Sequence, residues 1–213
     1  MDERSAIYGI GPVSVDPAMQ NRGIGRALML AVLDRAHQKG SIGVRLLQAT
    51  FHNRSLSLYS KLGFKVREPM SVMQTQPGNV AAEGCAIRPA TIDDLDVCNQ
   101  LCQRVHGHDR AGELRDGISH GSAVVVERHH GISGYASGFG YFGHAIAESN
   151  LDLQALIASA TNVSGPGIIV PTRNAELFRW CLNRGFRVFQ PMNLMTIGLY
   201  NEPDGAYLPS VLY

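Results

Sequence analysis

The residues whose types and spacing point most directly to chemistry form the run Gln20-Asn21-Arg22-Gly23-Ile24-Gly25-Arg26. Gly23 and Gly25 let a backbone approach a ligand closely, because a Cβ would hold phosphate oxygens away. Good helix formers follow, so the run ends at a helix N-terminus, where unpaired amides and the helix dipole favour an anion. Arg22 and Arg26 bracket the turn and can add charge-assisted bonds. That combination suits a pyrophosphate. The absence of Gly-Lys-Ser/Thr excludes a Walker A loop, and Leu28 stands where the dinucleotide fingerprint wants a third Gly or Ala. Two glycines that merely shape a turn remain the simpler reading of the loop by itself. Among proton-transfer groups, Tyr59 carries a proton at neutral pH and can donate it to a leaving group. A core aromatic at helical spacing is the alternative for that residue. His52, Glu68 and the pair His106/His108 are candidate bases, each equally readable as a structural or solvated side chain.

These residues need elements to hold them. Ile10–Val15 reads as a strand ending at Asp16-Pro17, followed by a loop from Ala18 to Gly25. The pattern predicts a helix over Arg26–Gln38, with Leu28, Ala31, Val32 and Ala36 on one face and Gly40 past its end. A strand at Val44–Ala49, a helix at Asn53–Leu62 stopped by Gly63, and a third strand starting at Phe64–Val66 come next. The order implies an α/β layer whose first two strands are parallel. Gln76–Glu83, with Pro77, Gly78 and Asn79, reads as a linker. Beyond it come a strand at Ala86–Ala90, Thr91 as a helix cap, a helix over Val97–Val105, strands at Ala123–Glu127 and Ile132–Phe142, and a helix at Asn150–Ala160. A strand at Gly167–Val170, a helix at Asn174–Asn183 stopped by Gly185, and one or two strands within Val188–Leu199 complete the chain. Asn53…Leu62-Gly63-Phe64 is echoed by Asn174…Arg184-Gly185-Phe186, each an Asn-led helix ending Gly-Phe between two strands. This repeat predicts two copies of one fold.

The 213 residues suffice for one large domain or two small ones with a real core. A net charge of +1 and no Lys/Arg run give no electrostatic case for nucleic acid or an anionic membrane. No apolar run approaches the ~20 residues that span a bilayer, and no signal peptide is visible. Cys98 and Cys102 lie one helical turn apart, where a metal pair is conceivable, but without further ligands all four cysteines read as free thiols of a reducing compartment. The expectation is a cytoplasmic protein.

Val13-Ser14-Val15-Asp16-Pro17, then Gln20-x-x-Gly23-x-Gly25, then Asn53…Leu58-Tyr59…Leu62-Gly63-Phe64 closely resemble the GNAT (GCN5-related) N-acetyltransferase superfamily over about residues 8 to 70. The resemblance implies acetyl-CoA as co-substrate and direct acetyl transfer to an amine, a small molecule or a peptide. By the same resemblance, backbone groups of Val13, Ser14 and Val15 hold the pantetheine arm and acetyl carbonyl. Gln20, Asn21, Arg22, Gly23, Ile24, Gly25 and Arg26 hold the pyrophosphate, Asn53 lies near the pantetheine, and Tyr59 protonates the departing thiolate.

The implied fold class is α/β, with two GNAT-like modules and a mixed central sheet flanked by helices. Residues 1–75 form a first module lacking its N-terminal strands, 76–85 a linker, and 86–213 a second module. The second has the family's opening phrase, Ile87-Arg88-Pro89-Ala90-Thr91…Asp94-Leu95, but offers Gly143–Asn150 in place of the phosphate loop. Glu148 there would repel phosphate, and Trp180 replaces Tyr59. Arg173 and His144 could bind an acidic acceptor, a salt bridge being the plainer reading for Arg173. Missing front strands should be compensated by the second module packing its sheet edge against the first, or by a homodimer. A non-catalytic acetyl-CoA-binding or interaction module is the rival to the enzyme, and a nucleotide-binding α/β protein the remaining reading.

Overall fold

The computed structural model describes residues 1–74 and 85–212, and the expected linker at 76–83 lies outside them. The chain begins with β1 (Ile7–Ile10), α1 (Ile24–Gln38), β2 (Gly43–Ala49), α2 (Asn53–Lys61) and β3 (Lys65–Gln74). It continues through β4 (Ala86–Pro89), α3 (Leu95–His106), α4 (Ala111–Ser119), β5 (Val124–Arg128), β6 (Gly131–Ala136) and β7 (Ala145–Ala147). Then come α5 (Asn150–Ala158), β8 (Ile168–Pro171), α6 (Ala175–Asn183), β9 (Arg187–Gly198) and β10 (Ala206–Leu208). The fold is α/β, with a mixed sheet and flanking helices.

One five-stranded sheet has the order β1-β2-β9-β3-β8 and the other β10-β7-β6-β5-β4. β1 and β2 are parallel, as expected, in register Ile7↔Gly43 to Ile10↔Leu46. β9 pairs antiparallel with β2 on one side and with β3 on the other. A strand from the C-terminal third thus enters the middle of the first sheet, not its edge. The two faces of that sheet feed different cores. Val44, Leu46 and Met195 join Met29, Ala36 and Phe64 under α1 and α2, whereas Met70, Val72, Met192 and Leu194 pack with Leu101, Val105 and Leu114 of α3 and α4. This follows from the period-2 alternation of a strand buried on both faces.

The first strand lies earlier in the chain than its pattern suggests: it ends at Ile10, and Gly11–Asp16 belong to no strand. Pro12 brings no N–H to a ladder, which suits departure from the sheet there. The outer edge of β1 is partly closed by the N-terminal segment, where Asp2 and Gly9 exchange two backbone hydrogen bonds of 2.8 and 3.1 Å. The buried face of α1 is Met29, Val32, Leu33 and Ala36: Val32 and Ala36 lie on it as expected, whereas Ala31 is exposed and Leu28 is 44% exposed. That set keeps the i, i+3, i+4, i+7 spacing, with Met29 and Leu33 in place of Leu28 and Ala31. β6 stops at Ala136 rather than running to Phe142, and Val188–Leu199 is covered by the single strand β9.

The last residues close the structure over β1. A Cβ placed on Gly9 would stand 1.5 Å from the Leu212 carbonyl oxygen, and one on Gly11 2.9 Å from Leu212 Cδ2. The backbone contact at Gly9 cannot be relieved by rotating a side chain. Gly9→Ala should therefore cost about 1–3 kcal/mol, the usual scale of overpacking. Urea denaturation reads this directly, and an unchanged midpoint would contradict the packing described.

Candidate active site

The loop predicted to bind phosphate sits where β1 leaves its neighbour. β2 continues past Leu46 to Ala49 along β9, while the chain after Ile10 turns away through Gly11–Asp16. Asp16 Oδ1 accepts from the Ala18 amide at 2.8 Å and starts a 3-10 turn over Pro17–Met19. The Gln20 side chain then reaches back to the Val15 carbonyl at 3.2 Å, tying the loop to the end of the extended segment. Two left-handed residues complete the turn, Asn21 (φ 63°) and Gly23 (φ 80°). Asn21 is a residue type that tolerates this conformation, and at Gly23 only glycine does so freely.

Gly23 is the N-cap of α1, and no side chain caps the helix start. The first intrahelical bond is Ala27 N–H to Gly23 C=O, 2.9 Å, so Ile24, Gly25 and Arg26 present their amides at the helix start. Arg22 and Arg26 are exposed beside it. Sequence reasoning missed a third arginine. Arg54, in the first turn of α2, donates to Asn21 Oδ1 at 3.3 Å and links the two helix starts. Its signal was available: a basic side chain directly after the Asn that opens the helix.

The second missed residue is Gln48, 1% exposed at the end of β2. Its amide donates to the Ala49 and His52 carbonyls and to Ser55 Oγ, and its carbonyl accepts from Asn193 of β9 at 3.0 Å. This buried amide fixes the corner between β2 and α2, hence the placement of Asn53 and Tyr59. Asn53 is exposed at the first position of α2. Tyr59 is half-buried, its ring 6.0 Å from that of Phe64, and burial pushes its hydroxyl pKa up. It keeps its proton at neutral pH. A Cβ on Gly25 would make ordinary contacts with Val15 and Leu58 at 3.8 Å, so loop, extended segment and α2 meet there. The structure thus brings together Val13–Val15, the Gln20–Arg26 loop and the α2 pair Asn53 and Tyr59.

The candidate bases separate sharply. Glu68 is 2% exposed and accepts from Arg173 Nε (2.6 Å), Tyr200 Oη (2.7 Å) and Tyr207 Oη (2.9 Å). That engages the exposed Arg173 in ion pairs with Glu68 and Glu202, the plainer reading of that residue. His106 and His108 are buried, His106 wholly so, and His108 Nε2 lies 3.5 Å from Arg45 Nη1. His144, also fully buried, contacts Tyr135 Oη (3.0 Å) and Ser137 Oγ (3.1 Å) and offers nothing to an acidic acceptor at a surface. Of the four base candidates, His52 has the exposed ring. Trp180 is half-buried between Phe186 and Arg184. Cys98 and Cys102 are buried, and burial pushes their thiols up to about 12 and 11, so both stay protonated.

Comparison with known proteins agrees with this geometry. Residues 2–66 match the acetyltransferase (GNAT) domain family. A mycothiol acetyltransferase from Nocardia farcinica is 38% identical over 63 residues, 30% of this chain and 21% of that protein, so the match spans about a fifth of that relative's length. Among solved structures, a Pyrococcus horikoshii protein assigned as an acetyltransferase superposes with a TM-score of 0.69 at 16% identity, over 91% of this chain and 68% of its own. A GCN5-related N-acetyltransferase from Kribbella flavida gives 0.50 at 16% identity, covering 90% and 52%.

The buried histidines make a testable consequence. Burial holds His106 and His144 well below the usual imidazole range and His108 at about 3, with Arg110 and Arg45 adding to the effect. The folded state therefore refuses protons that the unfolded state accepts below about pH 6.5. Stability present above that pH is lost as pH falls, by up to about 1.4 kcal/mol per pH unit for each histidine. Unfolding free energy measured from pH 7 to pH 5 should decline, and a flat profile would contradict the burial of these rings. Residues 2–66 thus match the acetyltransferase (GNAT) domain family, and the chain as a whole shares its α/β fold with a protein assigned as an acetyltransferase.

Proposed function

We propose that the chain is an acetyl-CoA-dependent N-acetyltransferase that transfers acetyl directly to an amine, a small molecule or a peptide. The observation that carries this reading is the start of α1: a left-handed Gly23 with no side-chain cap, beside the point where β1 and β2 part and facing the first turn of α2. Amides of Ile24–Arg26, flanked by Arg22 and Arg26, suit a pyrophosphate. The freed backbone of Val13–Val15 suits the pantetheine arm and the acetyl carbonyl, with Asn53 nearby.

In the reaction, the lone pair of the neutral amine forms a bond to the thioester carbonyl carbon, and the carbon–sulfur bond breaks. The sulfur takes a proton from Tyr59 Oη, and the amine's proton passes to water or to an exposed base, for which His52 is the accessible candidate. Burial keeps Tyr59 protonated, so the proton is in place on Oη when the thiolate leaves.

We further infer two copies of one unit, residues 1–75 and 86–213, joined through 76–85. The support is the matching order of strand, Asn-led helix, Gly-Phe and strand at β2-α2-β3 and at β8-α6-β9. The copies have exchanged their closing strands: β9 pairs with β2, and β3 pairs with β8.

Two substitutions test the function. Gly23→Val places a β-branched residue at φ 80° in an exposed loop where nothing stands within 4 Å, so it should abolish acetyl-CoA binding in thermal-shift titration while leaving the fold intact. Tyr59→Phe should lower CoA release with a reactive amine by about 100-fold or more at little-changed cofactor affinity. Binding of acetyl-CoA without release on any amine of a broad panel would contradict the enzyme reading.

A further inference from the structure

The two copies differ at the place where the first parts its strands. In the first copy β1 and β2 are hydrogen-bonded and then diverge. The corresponding strands of the second are β7 and β8, which precede α5 and α6 as β1 and β2 precede α1 and α2. β7 and β8 lie in different sheets, and β10 stands between them. It pairs antiparallel with β7, Ala206↔Ala147 to Leu208↔Ala145, and lies against β8. Its three side chains are no more than 3% exposed, with Tyr207 in the core under α3 and α4, and Ala206 and Leu208 in the core under α5 and α6. Gly205 makes the approach possible, since a Cβ there would stand 3.0 Å from Val105 and 3.2 Å from the Ala147 carbonyl.

The helix start beside this cleft is closed as well. At the head of α5, Ser149 Oγ accepts from the Asp152 amide at 3.2 Å, and the buried Asp152 carboxylate accepts from Ser149 at 2.6 Å and from Arg128 at 2.5 Å. Negative charge thus sits within the first turn, where α1 presents bare amides. Asn150 and Asn174 exchange hydrogen bonds of 2.7 and 3.2 Å across the heads of α5 and α6.

We propose that residues 206–208 act as an intramolecular ligand of the second copy, filling the inter-strand cleft that in the first copy receives acetyl-CoA. The chain then takes one cofactor molecule, at the first cleft, and the second copy works as a scaffold. This rests on the acetyltransferase reading for the first cleft but on the geometry of β10 for the second.

Calorimetric titration of the full chain with acetyl-CoA, run beside hydrogen exchange, tests it. One equivalent should bind, none should bind to Gly23→Val, and 145–147 and 206–208 should exchange as slowly as β9 with or without cofactor. A second equivalent, residual binding in Gly23→Val, or exchange altered at 145–147 or 206–208 by acetyl-CoA would overturn the proposal. If the unaltered chain binds no acetyl-CoA, the functional reading fails, and exchange alone decides this inference: slow at 206–208 sustains it, fast refutes it.

Discussion

The structure depends above all on β9 lying between β2 and β3. Its ladder with β2 runs from Gly43↔Gly198 to Ala49↔Met192, and its ladder with β3 from Lys65↔Thr196 to Gln74↔Arg187. Without β9, the strand that leads into α2 would have an unpaired edge, and buried backbone groups left unpaired cost about 1–3 kcal/mol each. The same strand brings Asn193 to Gln48, so the corner that aims Asn53 and Tyr59 is built by residues nearly 150 positions apart in the chain. Positioning of the candidate site is therefore a tertiary property and cannot be local to residues 1–74.

Buried polar groups lock this arrangement. Glu68 of β3 accepts from Arg173, Tyr200 and Tyr207, joining the N-terminal part to the start of α6 and to the C-terminal segment. A buried carboxylate is tolerable only when paired and hydrogen-bonded in this way, and removing one partner of such a pair typically costs about 3–5 kcal/mol. Around Arg110, a guanidinium 2% exposed, Glu113 supplies the opposite charge at 2.5 Å and lies 3.6 Å from His144 Nδ1. A buried guanidinium is tolerable because a carboxylate pairs with it in this way.

Much of the candidate site was legible because it is local. A Gly-x-Gly run before helix formers and an Asn-led helix ending Gly-Phe are short-range signals, and α1, β2 and α2 lie within two residues of their expected bounds. The strand at Ile10–Val15 was misplaced because alternating apolar residues continue past Pro12 although pairing does not. α4 went unseen because Gly112 and Gly117 lower its helix propensity, while Gly117 is required by tertiary contact: a Cβ there would stand 2.4 Å from the Ser137 carbonyl oxygen. β10 is three residues long and carries no pattern, and β9's place in the sheet is a long-range pairing that periodicity cannot encode. Gln48 and Arg54 lacked prominence for the same reason, since their partners come from the fold and not from neighbouring residues.

The central claim is that the amides at the start of α1 receive a pyrophosphate. Backbone amide resonances followed during ligand titration test it most directly. CoA should shift Ile24, Gly25 and Arg26 strongly, whereas pantetheine, which lacks the pyrophosphate, should leave these three in place while perturbing Val13–Val15. Amides of Ile24–Arg26 that do not respond to CoA, or respond equally to pantetheine, would contradict the account.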